Sequence, residues 1–291
     1  MKNSFDCVKP TDCCDLHTHS TASDGTFTPE ELVDEAVRKG LFAVALCDHN
    51  TLSGIAEFKK AGENADVITS SAIEITCAYI GKEIHMVGLF VPQSGFEKIN
   101  EFLLSVNESK RKSNDLLAQN LINAGYKIDY EKIKAGAGDG YINRVPFACE
   151  LLENGYVSST EEAMQGILSE EMGYYVPSVR PDAFEVIKLF KSVGAVPVLA
   201  HPFLNLTYDE LLEFLPVAKE AGLIAIETDY SKFSEEEKKL AKELAEQYSL
   251  LRSGGSDFHG DNKPDIKLGE GRGDLFAPAE YAEKLYKASK T

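Results

Sequence analysis

Each of the six histidines of this chain stands in a short polar cluster beside an apolar, strand-like run. They are His17 and His19 in CDLHTHS, His49 in CDHNT, His85 in EIHMVG, His201 in LAHPF and His259 in GSDFHG. The strand-like runs alternate with helical patterns of the length that crosses back over a sheet, which predicts a parallel α/β architecture. In such folds the C-terminal strand ends all face one side and carry the chemistry. His17 and His19 are two residues apart, so on a strand they share a face, and Asp15 joins them if the strand extends that far. The pattern therefore aims every cluster at one central point.

The alternation fixes the expected elements. TPEELVDEAVRKG reads as a helix with a Thr-Pro start and a Gly stop. FAVALC is a buried strand that leads into Asp48 and His49, and a helix follows through SGIAEFKKAGENA. VITSSAIEITC carries Glu74 and KEIHMVGLFV carries His85. The rhythm resumes near residue 181 with three further helix–strand pairs, and PAEYAEKLYKASK closes the chain as a helix. Residues 93–180 break the rhythm, read as helical and hold no histidine. The expected organisation is a barrel domain of residues 13–92 and 181–291, with 93–180 an inserted helical domain that covers the barrel mouth. The glycine-rich AGAGDG at 135–140 lacks the Lys-Ser/Thr ending of a phosphate-cradling loop and is read as a flexible loop.

Acidic residues accompany the histidines: Asp15, Asp24, Asp48, Glu74 and Asp257. Imidazole is the commonest protein metal ligand, and nine or ten N and O donors without a thiolate pattern suit two or three hard-to-borderline divalent ions. Sites of that kind hydrolyse phosphoesters above all. An ionised Glu74 among apolar strand residues needs a cation beside it. Glu227, at the end of another strand, either supports the ligands or is structural.

Composition removes other classes. The formal net charge of −17 repels polyanions, which argues against long RNA or DNA as a partner and leaves a small nucleotide admissible. The apolar runs fall short of the ~20 residues that cross a bilayer. The N-terminus has no apolar signal stretch, so a cytoplasmic protein is expected. The six cysteines, Cys7, Cys13, Cys14, Cys47, Cys77 and Cys149, form no C-x-x-C pair and read as reduced, mostly buried thiols.

Taken in order, D-L-H-T-H-S with Ser23-Asp24-Gly25, C-D-H-N-T, Glu74 before H-M-V-G, A-H-P and G-S-D-F-H-G resemble the PHP family, the polymerase and histidinol phosphatase domains. The resemblance runs from about residue 13 to residue 261. It implies a distorted (β/α)7 barrel and a trinuclear site. By that resemblance His17, His19, Glu74 and Asp257 hold one ion. Asp24, His49 and His259 hold a second, and a bridging Glu74 with His85 and His201 holds the third. Asp48 is assigned a catalytic part by orienting the adjacent ligands, and Asp15 a similar part or a strand cap. The Asn143-Arg144-Val-Pro segment of the insert resembles the small bacterial PHP phosphoesterases that act on nucleotides. There it implies Arg144 as a catalytic and substrate-binding residue, with Asn143 beside it. Arg111, in a basic helical stretch, is a further phosphate candidate whose ordinary reading is a solvated face. A guanidinium suits phosphate bidentately.

The expected activity is hydrolysis of a phosphomonoester of a small nucleotide, a 3',5'-nucleoside bisphosphate or 5'-AMP, by a metal-activated hydroxide. The ions would be Mn, Fe or Zn. No Ser, Cys or Asp shows a nucleophile motif, which agrees with direct attack on phosphorus. Trimming of short 5'-phosphorylated RNA uses the same ligands and is the alternative, as is histidinol phosphatase. A metal-binding module without catalysis is the reading from another class, and the complete ligand set argues against it. An amidohydrolase is disfavoured by the Glu74 spacing and the closing Asp-x-His.

Overall fold

The computed structural model describes Phe5, residues 8–137 and residues 142–290. Cys7 and residues 138–140 of AGAGDG lie outside the described residues, and its first half, expected as a loop, is the end of a helix that runs to Ala137. The chain divides into two compact units, Met1–Asn100 with Arg180–Thr291, and Glu101–Val179.

Among the described residues, the first unit carries all the strands. Its order is β1 (Cys14–Thr18), α1 (Pro29–Arg38), β2 (Ala43–Leu46), α2 (Ile55–Gly62), β3 (Ile68–Ser71), β4 (Ile73–Tyr79) and β5 (Lys82–Leu89). After α3 (Phe96–Asn123), α4 (Tyr130–Ala137), α5 (Val145–Glu153) and α6 (Thr160–Gln165), the chain continues with α7 (Ala183–Val193), β6 (Val196–Leu199), α8 (Tyr208–Ala221), β7 (Ala225–Tyr230), α9 (Glu235–Gln247), β8 (Leu251–Gly255) and α10 (Ala279–Ala288). Helix starts follow local chemistry. Thr28, Thr207 and Ser234 each accept from the backbone three residues on, while the Glu at that position bonds back, a reciprocal cap worth ~1 kcal/mol apiece.

The expected distorted (β/α)7 barrel is met by a mixed α/β fold. Eight strands form two sheets, β1-β2-β3 and β4-β5-β6-β7-β8, which are not closed on one another. Single bridges, Thr18 to Phe258 and His49 to Glu74, link their seams. The expected parallel architecture is corrected at one strand: β5 runs antiparallel to both β4 and β6. The reversal comes from a two-residue turn, with Tyr79 paired to Lys82 and positive φ at both Ile80 and Gly81 (45° and 78°). Such turns are usually announced by Asn-Gly. An isoleucine in the left-handed region gives no warning of one.

The core of this unit lies along the strands. Cys14 and Leu16 pack with Ala45, Val87 and Val198, while alternation sends Asp15 and His17 to the opposite face of β1. The second unit has its own core of Leu117, Leu121, Phe147 and Leu151. No described helix is long and apolar enough to cross a membrane.

Cys14, Cys47 and Cys77 are fully buried free thiols, and burial pushes each thiol up in pKa. Because the thiolate is the reactive form, alkylation at pH 8 is expected to reach these three only after denaturation. Peptide mapping checks this, and rapid labelling of Cys47 in the native protein would contradict it.

Candidate metal centre

Buried Glu74 is the hub. It is the second residue of β4, and its backbone is clamped beside His49: Asn50 N–H donates to Glu74 O at 2.8 Å and Glu74 N–H to Asp48 O at 3.3 Å. Its carboxylate meets five imidazoles. Oε2 lies 3.4 Å from His17 Nε2, 3.3 Å from His19 Nε2 and 3.0 Å from His49 Nδ1. Oε1 lies 2.9 Å from His85 Nδ1 and 3.1 Å from His201 Nε2. The remaining expected ligands join at one side. His259 Nε2 is 3.2 Å from Asp24 Oδ2, and Asp257 Oδ1 is 3.4 Å from both His19 Nε2 and His259 Nδ1. All nine residues expected as ligands thus meet in one cluster of the first unit.

Two of them do not sit at a C-terminal strand end as anticipated. Glu74 lies near the start of β4 and His85 within β5. The antiparallel hairpin still brings them level, because Thr76 pairs with His85 and Ala200 N–H donates to His85 O at 3.1 Å. Loop backbones do the rest. Asp257 and His201 take positive φ values of 57° and 27°. Such strain in non-glycine residues persists where surrounding contacts over-determine it, commonly at functional sites.

The donors fall into four overlapping groups whose ligand atoms lie within 4.8 Å of one another. These are His19, Asp24, His49 and His259; His17, His19 and Asp257; His17, Glu74 and His201; and His49, Glu74 and His85. His85 and His201 share Glu74 but fall in different groups, unlike the trio implied by the family pattern. The donor set fits divalent ions on a direct test. His17 Nε2, both ring nitrogens of His19 and Glu74 Oε2 are buried without a hydrogen-bond partner. Buried polar atoms are otherwise almost always satisfied. Here they point at one another, at the separation of roughly 3.3 Å that ligands of one ion keep.

Electrostatics agree. Burial disfavours every charge here, yet Asp24, Glu74 and Asp257 are all held well below the usual carboxylate range. His259 and His49 lower Asp24, His49 and His85 lower Glu74, and Lys263 and His259 lower Asp257. Burial would lower His85, but the Glu74 charge outweighs it and lifts the ring to about 10. His17 is likewise raised, against burial, by Glu74 and Glu227. His19 is driven well below its ordinary value by burial and by the charges of His259 and His49. Protons on His17 and His85 therefore occupy the place of cations. An incoming ion must displace them, so metal binding is expected to release protons and to strengthen as pH rises. Calorimetric titration in buffers of different ionisation enthalpy reads the proton count. Binding without proton release near pH 7 would oppose this.

Asp48 does not face the cluster. Its Oδ1 accepts from Ser20 N–H at 2.8 Å and Ser23 Oγ–H at 2.6 Å, and its Oδ2 from Ser20 Oγ–H at 2.7 Å. It thereby braces the loop that carries His19 and Asp24. Asp15 plays the same part across the chain, accepting from Ser256 N–H, Ser256 Oγ–H and Gly269 N–H. Asn143, Arg144 and Arg111 belong to the second unit. Arg144 precedes α5, stacks over Tyr175 at 4.3 Å and donates to Leu168 O at 3.0 Å. Asn143 Oδ1 accepts from Val145 N–H, and Arg111 is exposed on α3. The sequence reading missed Tyr230 and Lys263, which bond Asp257 Oδ2 at 2.9 and 2.7 Å and leave Oδ1 for the cluster. The run of polar residues Glu227–Tyr230 closing an apolar strand was the only signal for Tyr230.

A mixed α/β scaffold that gathers six imidazoles and buried carboxylates defines a metal-dependent hydrolase. Comparison with known proteins narrows this. The PHP domain matches residues 15–145. A 5'-3' exoribonuclease of Haemophilus influenzae is 30% identical over 246 residues, 84% of this chain and 89% of the relative. A phosphoribosyl 1,2-cyclic phosphate 1,2-diphosphodiesterase of Eggerthella lenta is 28% identical over 84% of this chain and 94% of its own. A 3',5'-nucleoside bisphosphate phosphatase of Chromobacterium violaceum is 26% identical over 84% and 86%. A candidate metal-dependent phosphoesterase of Bifidobacterium adolescentis superposes with a TM-score of 0.85 at 27% identity, over 96% of this chain and 97% of that one. The chain belongs to the PHP family and is a metal-dependent phosphoesterase.

Proposed function

We propose that this enzyme hydrolyses a phosphomonoester of a small nucleotide, a 3',5'-nucleoside bisphosphate or 5'-AMP, using three divalent ions, Mn, Fe or Zn. The observation that carries the reading is the set of buried, unpartnered donor atoms around Glu74. When bound, the ions supply Lewis-acid chemistry that acidifies water and offsets phosphate charge. His17, His19, Asp24, His49, Glu74, His85, His201, Asp257 and His259 are the residues that hold them. Asp48 contributes by fixing the Asp24 loop. Arg144, with Asn143 and Arg111, is assigned to the substrate phosphate, where a guanidinium adds charge and orientation without covalent chemistry.

A second reading, 5'-to-3' removal of nucleotides from short 5'-phosphorylated RNA, is favoured by the 30% identity to the Haemophilus influenzae exoribonuclease. Both readings use the same ions. Phosphate release with Mn²⁺ separates them when 3',5'-adenosine bisphosphate, 5'-AMP, histidinol phosphate, phosphoribosyl 1,2-cyclic phosphate and a 5'-phosphorylated RNA trimer are compared. Turnover of a mononucleotide is expected. Nucleotide release from the trimer alone would move the assignment to the nuclease, and turnover of histidinol phosphate or the cyclic phosphate alone would refute both.

A further inference from the structure

We propose that Glu227 is the positioning residue for the part of the cluster built from His17, Glu74 and His201. It fixes the ring of one histidine and the backbone of another. The inference rests on the reading that the cluster holds divalent ions.

Glu227 is 2% exposed and lies within β7, just before a register shift between Glu227 and Asp229. Its two oxygens are used separately. Oε1 is 3.2 Å from His17 Nδ1, and Oε2 accepts from His201 N–H at 2.7 Å. An ionised carboxylate can only accept, so His17 Nδ1 must carry a proton. When an ion displaces the ring's second proton, the lone pair then falls on Nε2, the atom buried without a hydrogen-bond partner and turned toward Glu74. Carboxylates behind metal-ligating histidines act in this way, setting tautomer and ring orientation.

The second bond addresses a different problem. His201 sits at φ 27°, a conformation that a non-glycine residue adopts only when held there. A charge-assisted bond from its N–H to Glu227 supplies that hold. The two histidine rings then lie nearly parallel, 5.6 Å apart, and both present Nε2 to Glu74. Glu227 therefore couples residues 210 and 26 positions away in the chain into one group. It is not itself a member of any of the four donor groups, because its oxygens are already committed.

The test uses chelator-stripped full-length protein titrated with Zn²⁺ in a calorimeter, for wild type, Glu227→Ala and Glu227→Gln. Alanine removes both bonds. Glutamine keeps the shape and one acceptor oxygen but must turn an NH₂ toward one partner. A 10–100-fold loss of affinity is expected in each variant where His17 and His201 are ligands, with the group of His19, Asp24, His49 and His259 at wild-type affinity. Zinc-loaded wild type should also show an exchange-protected His17 Nδ1–H resonance that Glu227→Ala lacks. Wild-type affinities at every site in a folded variant would overturn the inference, as would an equal loss at all sites accompanied by a collapsed melting temperature. Should Glu227→Ala not fold, Glu227→Gln decides. Wild type that binds no ion would instead overturn the metal reading itself.

Discussion

Glu74→Gln is expected to abolish turnover, by ~10³-fold or more, and to strip bound metal while leaving the fold intact. Glu74 touches five histidines on four strands and loops, and no other side chain does so. Glutamine is nearly isosteric but neutral and a poorer ligand. The variant therefore removes the one negative charge that two of the donor groups share. Lewis-acid stabilisation is worth several kcal/mol of transition-state charge, and each ~1.4 kcal/mol is tenfold in rate. Metal analysis of dialysed protein, run with the rate assay, separates the causes. Retained activity with full metal content would remove Glu74 from the centre of the site.

Gly255→Ala should damage both stability and activity, although Gly255 bears no functional group. A Cβ there would lie 2.5 Å from both Cβ and N of His17 and 2.9 Å from Asp15 Oδ1. The first two are part of the β1 backbone region, which cannot swing aside as a flexible side chain would. Either β1 or β8 must move, and β1 carries His17 and His19. Overpacking of this kind costs about 1–3 kcal/mol, or roughly 2–12 °C in melting temperature for a unit this size. The same shift misplaces ligands and should lower turnover by at least tenfold at saturating metal. Gly88→Ala is the comparison, because the atoms nearest its new methyl belong to the Phe190 ring, a side chain and not strand backbone. It should destabilise without a matching loss of rate per folded molecule. Equal rates in the two variants would show that β1 tolerates displacement.

Much of this site was legible in the sequence because its parts are local. Period-two spacing predicted that His17, on β1, and His19, just after it, would act together, and capping residues such as Thr28 and Ser234 marked helix starts. The nine expected ligands needed only to lie at the inner ends of neighbouring elements, and an ordered set of short motifs carried that. Features that depend on a turn or on contact across the chain were not legible. The β4–β5 reversal hinges on Ile80-Gly81, a pair with no turn signature, so a parallel α/β architecture was the natural expectation. That Asp48 would orient adjacent ligands was readable from its place beside His49, but its actual partners, Ser20 and Ser23, were not.

The sequence by itself determined the chemistry: which side chains exist to bind cations, that they follow strands, and that an acidic, histidine-clustered α/β chain of this pattern is a PHP phosphoesterase. Tertiary structure alone decided how the donors are shared. Glu74 became the common partner of five histidines only when a hairpin, a parallel bridge to His49 and the end of β6 met at one level. The reason is physical. Residue type and alternation are properties of a few consecutive residues, whereas a ligand's neighbours are set by chain segments that approach one another across the chain, as Asp15 and Gly269 do over 254 positions. Their separation is fixed by packing, and no local pattern records it.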